Sequence, residues 1–174
     1  MIVRFYQLDG AEAAPQPLAS DMQLSWWQPE RDGLPGRGSR RLVNYLWWAL
    51  ARAGGFSRPD FAELRIERAG RLVQRLIVTP RWYRFPFMGP TDLQIGDVWT
   101  APDARRQQLA RLAVAQATQR FAAGGTTIWY VTEEGNDASA ALARACGFRQ
   151  VAVGHRAPRF GTALFGQYVI ERFG

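Results

Sequence analysis

The chain has no lysine: all 22 of its basic residues are arginine. It also has only one cysteine and one histidine, Cys146 and His155. A lone thiol excludes an internal disulfide framework and fits a reducing compartment. One His and one Cys leave no room for a zinc site of the usual His/Cys composition. No apolar run approaches the roughly 20 residues that a membrane-spanning helix needs. The opening MIVRFYQLDG lacks the basic-then-apolar order of a secretory leader. Gly-x-Ser-x-Gly, the phosphate loop with its lysine and Gly-x-Gly-x-x-Gly are all missing, which removes three large enzyme classes. Repeats and low-complexity tracts are absent too. These absences predict a soluble, cytoplasmic, metal-free protein with no membrane span, built as a single domain over 1–174.

What is present begins with charge. The formal +7 comes from arginines scattered along the chain. An all-arginine bias points to genome base composition, and the scatter argues against a polyanion-binding face. A small partner carrying phosphates is compatible with it. Nucleic acid is not expected, because no binding motif accompanies the charge. Hydrophobic content is 47%, with seven Trp and ten Phe, enough for a substantial core.

The most informative stretch is Leu93–Phe121. It reads as a strand (Leu93–Thr100), a Pro-containing elbow (Ala101–Ala104) and an amphipathic helix (Arg105–Ala122) with Leu109, Leu112, Ala113, Ala117 and Phe121 on one face. The helix opens on Arg105-Arg106-Gln107-Gln108. A helix start carries unpaired N–H groups and positive potential, so strand, elbow and two arginines form a phosphate cradle in this reading. A plain strand–helix connection with solvated arginines is the alternative.

Around it, Ile2–Leu8 alternates as a first strand. A short helix is expected over Asp21–Trp27 inside a Gly- and Pro-rich loop. Trp26 and Trp27 there either pin the loop or line a pocket. Arg40–Ala53 is helical, capped by Ser39, and Trp47-Trp48 widen its apolar surface; if exposed, that pair marks a dimer face. Phe61–Glu67 and Leu72–Thr79 form a hairpin, and Arg81–Pro90 is an aromatic loop. Thr126–Thr132 is a strand, followed by a helix capped at Asn136 or Asp137 and closed by left-handed Gly147. Arg149–Val153 and Leu164–Glu171 are the last strands, with His155 and Pro158 in the loop between them.

Pro102 followed by Arg105-Arg106-Gln107-Gln108-Leu109-Ala110 resembles the pyrophosphate motif of the GCN5-related N-acetyltransferases: Arg/Gln-x-x-Gly-x-Gly/Ala, then an apolar helix. Arg105 and Ala110 match, and Gln108 stands where that family has Gly. Ile128–Val131, Asn136, Leu142, Gly147 and Phe148 are similar to the family's later strand and helix, in the same order. The resemblance covers Leu93–Val153. It implies an α/β (α+β) fold with a mixed, mostly antiparallel sheet of about seven strands and about four helices.

It also implies an acyl-coenzyme A-dependent N-acetyltransferase with acetyl-coenzyme A as co-substrate. Val98, Trp99 and Thr100 would meet the pantetheine arm. The amides of Arg106, Gln107, Gln108, Leu109 and Ala110, with the Arg105 and Arg106 guanidinium groups, would hold the pyrophosphate, and Asn136 would touch the arm. Gln108 can stay helical and still offer its N–H, or its side chain can obstruct the diphosphate. The family's thiolate-protonating Tyr is replaced by Ala143, with Tyr130, Tyr168 or solvent as substitutes.

For the base, Asp97 lies on the right strand, with Asp92 and Gln94 nearby. Strict alternation places Asp97 beside Ile95 and Trp99, and a β-bulge would change that parity. His155 is the second choice, since its ordinary pKa suits the work. The acceptor expected is a small-molecule amine. The stretch RFPFMGPTDLQIGDVWT resembles acetyltransferases of surface-polysaccharide gene sets, which favours an amino sugar or sugar nucleotide. The alternatives are a protein or peptide amine acetyltransferase and a catalytically silent acyl-coenzyme A-binding or regulatory module; a homodimer is one option for assembly.

Overall fold

The computed structural model describes residues 1–8, 17–35, 42–122, 125–159 and 161–173. Its strands are β1 (Ile2–Leu8), β2 (Met22–Trp27), β3 (Ala62–Arg68), β4 (Arg71–Pro80), β5 (Leu93–Thr100), β6 (Ile128–Glu133), β7 (Arg149–Arg159) and β8 (Thr162–Phe173). The helices are α1 (Pro29–Asp32), α2 (Leu42–Arg52), α3 (Leu109–Phe121) and α4 (Asp137–Ala145). The strands make one sheet in the order β2-β3-β4-β5-β6-β1-β7-β8. Every pairing is antiparallel except β5 with β6, as expected of two strands joined through a crossover helix, here α3.

Alternating side chains divide the core between the two faces of the sheet. On one face Leu64, Ile66, Leu76, Val78, Leu93 and Ile95 meet Leu109, Ala113, Val114 and Ala117 of α3, with Ala140 and Ala143 of α4. On the other, Val3, Phe5, Trp129 and Ala152 pack against Phe85 and Met88 of the 81–92 loop. Asp92 anchors that loop, accepting from Trp129 Nε1 and Gly89 N at 2.8 Å each. The helix α2 is tied to the sheet by a polar clamp: Asn44 Nδ2 donates to Glu63 Oε2 at 2.6 Å, and Arg65 Nε donates to Glu63 Oε1 at 3.2 Å.

Five elements differ from the sequence reading. Met22–Trp27 is a strand, not a helix, because its alternating residues pair in register with Glu63–Arg68. That pairing overrides local propensity and makes eight strands in place of about seven. The α3 helix begins at Leu109 rather than Arg105. The last two strands are longer than expected, so His155 and Pro158 lie within β7 rather than in a loop. The β6 strand starts at Ile128. The Ser39 cap lies outside the described residues. Among those residues, no helix is long and apolar enough to cross a membrane.

Candidate active site

The site begins where two parallel strands part. Leu93, Gln94 and Ile95 of β5 pair with Ile128, Trp129 and Tyr130 of β6, and no pair follows. The cause lies on the other side of β5. Ile77 faces Gly96 and Arg75 faces Trp99, so three steps along β5 match two along β4. The additional residue makes a bulge, and Asp97 adopts a left-handed φ of 49° within it. The bulge bends β5 away from β6. It also releases Asp97 from the alternation that would set it beside buried Ile95: Asp97 is exposed, and its Oδ1 lies 3.4 Å from Arg75 Nη2.

Three cavities follow this parting. The first, about 310 Å³, lies in the split itself, between Gly96, Asp97 and Val98 on one side and Val131, Thr132 and Glu133 on the other. Asn136 and Ser139 of α4 close its end, and Tyr130 and Tyr168 also line it. The second, about 210 Å³, shares Gly96, Asp97, Val131 and Tyr168 with the first and is walled by Trp47, Trp82 and Phe85. The third, about 240 Å³, lies between Thr100, the loop from Arg105 to Arg111, and Leu142 of α4. One helix, α4, thus borders both the split and the loop cavity.

The loop cavity is built from unusual backbone. A one-turn 3-10 helix, Pro102–Ala104, ends in extended Arg105; Arg106 and Gln108 then take left-handed φ values of 62° and 58°. Such alternation turns successive N–H groups into one concavity, an anion nest. Among the described residues, none of the amides from Arg106 to Arg111 donates to a main-chain carbonyl. The side chains of Arg105, Arg106 and Arg111 are exposed and have no acidic partner among the described residues. Free amides, helix start and three guanidinium groups are the donor set a diphosphate needs, so the residues fit such a group. Gln108 corrects the helical expectation: it is the left-handed N-cap of α3, the conformation Gly supplies at low cost, with its side chain exposed. Gln107 is held outside the nest, its Oε1 accepting from Arg68 Nη2 at 2.9 Å and its Nε2 donating to Asp103 O at 3.3 Å.

Val98 lines the split, Thr100 and Ala110 the loop cavity. Leu109 is buried. The Trp99 ring lies under the Arg75 guanidinium, 4.9 Å from its centroid, and borders none of the three cavities. Asn136 caps α4, its Oδ1 accepting from Ser139 N at 3.1 Å, while it also lines the split. His155 stands apart, paired with Ile2 and Val169 in the sheet and 2.7 Å from Glu171 Oε1, bordering none of the three cavities.

Ala143 is fully buried in the core. In the same helix, Ser139 Oγ shares a 2.9 Å hydrogen bond with the Tyr130 hydroxyl. Burial pushes the Tyr130 phenol above its ordinary value, with the Ser139 contact pulling the other way, so the phenol keeps its proton. Ser139 and Arg111 escaped the sequence reading, whereas Trp82 lies in the aromatic loop Arg81–Pro90 that it marked. Ser139 at Asn136 plus three was the one available signal, a polar residue in the first turn of a capped helix.

The family model described as acetyltransferase (GNAT) family matches residues 21–148. No curated protein matches the chain. Among solved structures, a GNAT-family protein from Novosphingobium aromaticivorans is 18% identical, with a TM-score of 0.57 over 87% of this chain and 60% of its own. A GCN5-related N-acetyltransferase from Kribbella flavida is 17% identical, with a TM-score of 0.53 over 86% of this chain and 55% of its own. The ribosomal-protein-S18-alanine N-acetyltransferase of Escherichia coli is 15% identical, with a TM-score of 0.51 over 84% of this chain and 88% of its own. The chain thus spans little more than half the length of the first two.

A left-handed non-glycine residue costs on the order of 1 kcal/mol. Gln108→Gly is therefore expected to raise the melting temperature by about 2 °C and to leave coenzyme A affinity equal or tighter. A lowered melting temperature in a thermal melt would contradict the strain assigned to Gln108.

Proposed function

We propose that this chain, which belongs to the acetyltransferase (GNAT) family, moves an acetyl group from acetyl-coenzyme A to the primary amine of a small molecule in the cytoplasm. The observation that carries the reading is the edge opened inside the sheet between Gly96–Val98 and Val131–Glu133. Each strand keeps one neighbour, β4 or β1, and turns its other edge to the split. An extended ligand with amide groups can add there as a strand would, and pantetheine is such a ligand. Further along α4, at Leu142, lies the loop cavity with the nest at Arg106–Ala110, where the pyrophosphate would lie.

The chemistry then has a place. The thioester would sit near Gly96–Val98, where a main-chain N–H at the bulge faces the carbonyl oxygen as charge develops on it. The acceptor amine enters from the second cavity, which meets the first at Gly96 and Asp97. Asp97 takes the amine proton, directly or through one water. The N–C bond forms, the C–S bond breaks, and the departing thiolate takes a proton from the Tyr130 phenol or from solvent. Asp97 fits this role by position; His155, held in β7 beside Glu171, does not enter it. The aromatic walls Trp47, Trp82 and Phe85 favour a ring-bearing acceptor such as an amino sugar.

A catalytically silent acyl-coenzyme A binder is the second reading, favoured by buried Ala143 where the family carries a hydroxyl. Thiol release from acetyl-coenzyme A with a panel of amino sugars separates the two.

Acetyl-coenzyme A is expected to stabilise the protein in a thermal melt. The double variant Arg105→Ala, Arg106→Ala should weaken its affinity about tenfold by calorimetry, and an unchanged affinity contradicts the diphosphate cradle. Asp97→Asn should lower kcat about 100-fold while retaining acetyl-coenzyme A affinity; normal turnover removes Asp97 as base.

A further inference from the structure

A buried carboxamide stands at the point where β5 leaves β6. Gln94 lies between Thr79 of β4 and Trp129 of β6 in the sheet and is only 5% exposed. A polar side chain this deep costs free energy unless its groups are bonded. Both ends of the Gln94 amide are. Its Oε1 accepts from Thr79 Oγ1 at 3.2 Å, and its Nε2 donates to Ile95 O at 2.6 Å. A carbonyl can only accept, so the Ile95 contact fixes which end of the amide is nitrogen.

Ile95 is the last residue of β5 that pairs with β6, and Gly96 is the last to keep its register with β4 before the bulge. The amide holds the carbonyl of the first and covers the second. A Cβ built on Gly96 would lie 2.7 Å from Gln94 Nε2 and 3.1 Å from its Oε1. The φ of Gly96 is not left-handed, in contrast to Asp97 at 49°. Glycine at 96 therefore serves the close approach of this amide rather than a turn. One side chain thus grips the peptide unit, Ile95 to Gly96, that separates paired strand from parted strand.

We infer that Gln94 is a positioning residue: bonded to Thr79 on one side and to Ile95 on the other, it holds the Ile95–Gly96 peptide so that the bulge forms at Asp97 and the seam opens at Gly96–Val98. Backbone that leaves the regular strand conformation persists only where its surroundings fix it. The two hydrogen bonds of Gln94 do so from within the sheet, independently of any ligand. That a thioester meets this edge rests on the acyl-transfer reading; the hold on the bulge does not. Gln94 also lines the second cavity with Thr79 and Gly96, so a contact with the acceptor is the competing role.

The test compares wild type with Gln94→Met, which keeps the volume and removes the amide, by NMR. Without ligand, the Asp97 Cα and Cβ chemical shifts report its left-handed backbone. In Gln94→Met they are expected to move to the extended range, and Gly96→Ala, which displaces the amide, should move them the same way. Thr79→Val removes one of the two bonds; it should give a smaller shift in that direction and, with Gly96→Ala, decides the matter if Gln94→Met does not fold. Unchanged Asp97 shifts in the folded variants, the result if Gln94 only touches the acceptor, overturn the inference. With coenzyme A added, Gln94→Met should lose the amide perturbations at Gly96–Val98 and keep those at Arg106–Arg111; retention of both sets also overturns it. If neither set responds in wild type, the acyl-transfer reading fails, and the ligand-free shifts still decide the role of Gln94.

Discussion

Everything at the site depends on one interruption of hydrogen bonding: β5 and β6 pair over Leu93–Ile95 and then part. A parallel pair buried between α3 and the 81–92 loop would ordinarily continue, because each unpaired N–H or C=O in a sheet costs free energy. Here β4 absorbs the geometry. The bulge at Asp97 lets β5 stay bonded to β4 while its other edge swings away from β6. The result is an open seam in mid-sheet, with backbone groups that an amide-bearing ligand can satisfy.

The second constraint is local and has a cost. Arg106 and Gln108 both hold left-handed backbone without being glycine. Strain of this kind persists where the surrounding structure fixes it, and it collects at functional positions. Around the loop, Arg68 holds Gln107, Arg71 pairs with Asp103, and Leu109 is buried at the start of α3. The Arg71 contact keeps the Asp103 carboxyl below the usual carboxylate range, so that surface pair is complete above the ordinary carboxylate pKa and is lost as pH falls through the lowered value. These contacts hold a concave row of amides open beside three arginines. Anion binding would offset the repulsion that such a row otherwise carries.

Periodicity was sufficient for the parts of the fold that obey it. Leu93–Thr100 is a strand with the bounds its pattern gives, and the Asn136 cap and the left-handed Gly147 follow from residue type. Where pairing partners decide, local pattern misleads. Met22–Trp27 becomes a strand only because β3 lies beside it, and β7 extends through Pro158 because β8 pairs with it. At the site, the ordered Pro102–Ala110 and Asn136–Phe148 motifs pointed to the loop and helix that border the loop cavity, and the family match agrees with that resemblance. The bulge was legible only as a condition, since nothing in LQIGDVWT states how many residues of β4 oppose it.

The claim most exposed to test is that the seam and the nest bind one ligand together. Amide-resolved NMR during titration with coenzyme A tests it residue by residue. The expected result is a contiguous set of perturbed amides at Gly96–Val98, Arg106–Arg111 and Asn136–Ser139, saturating at one concentration. Perturbations confined to other surfaces, or none at saturating ligand, would contradict it.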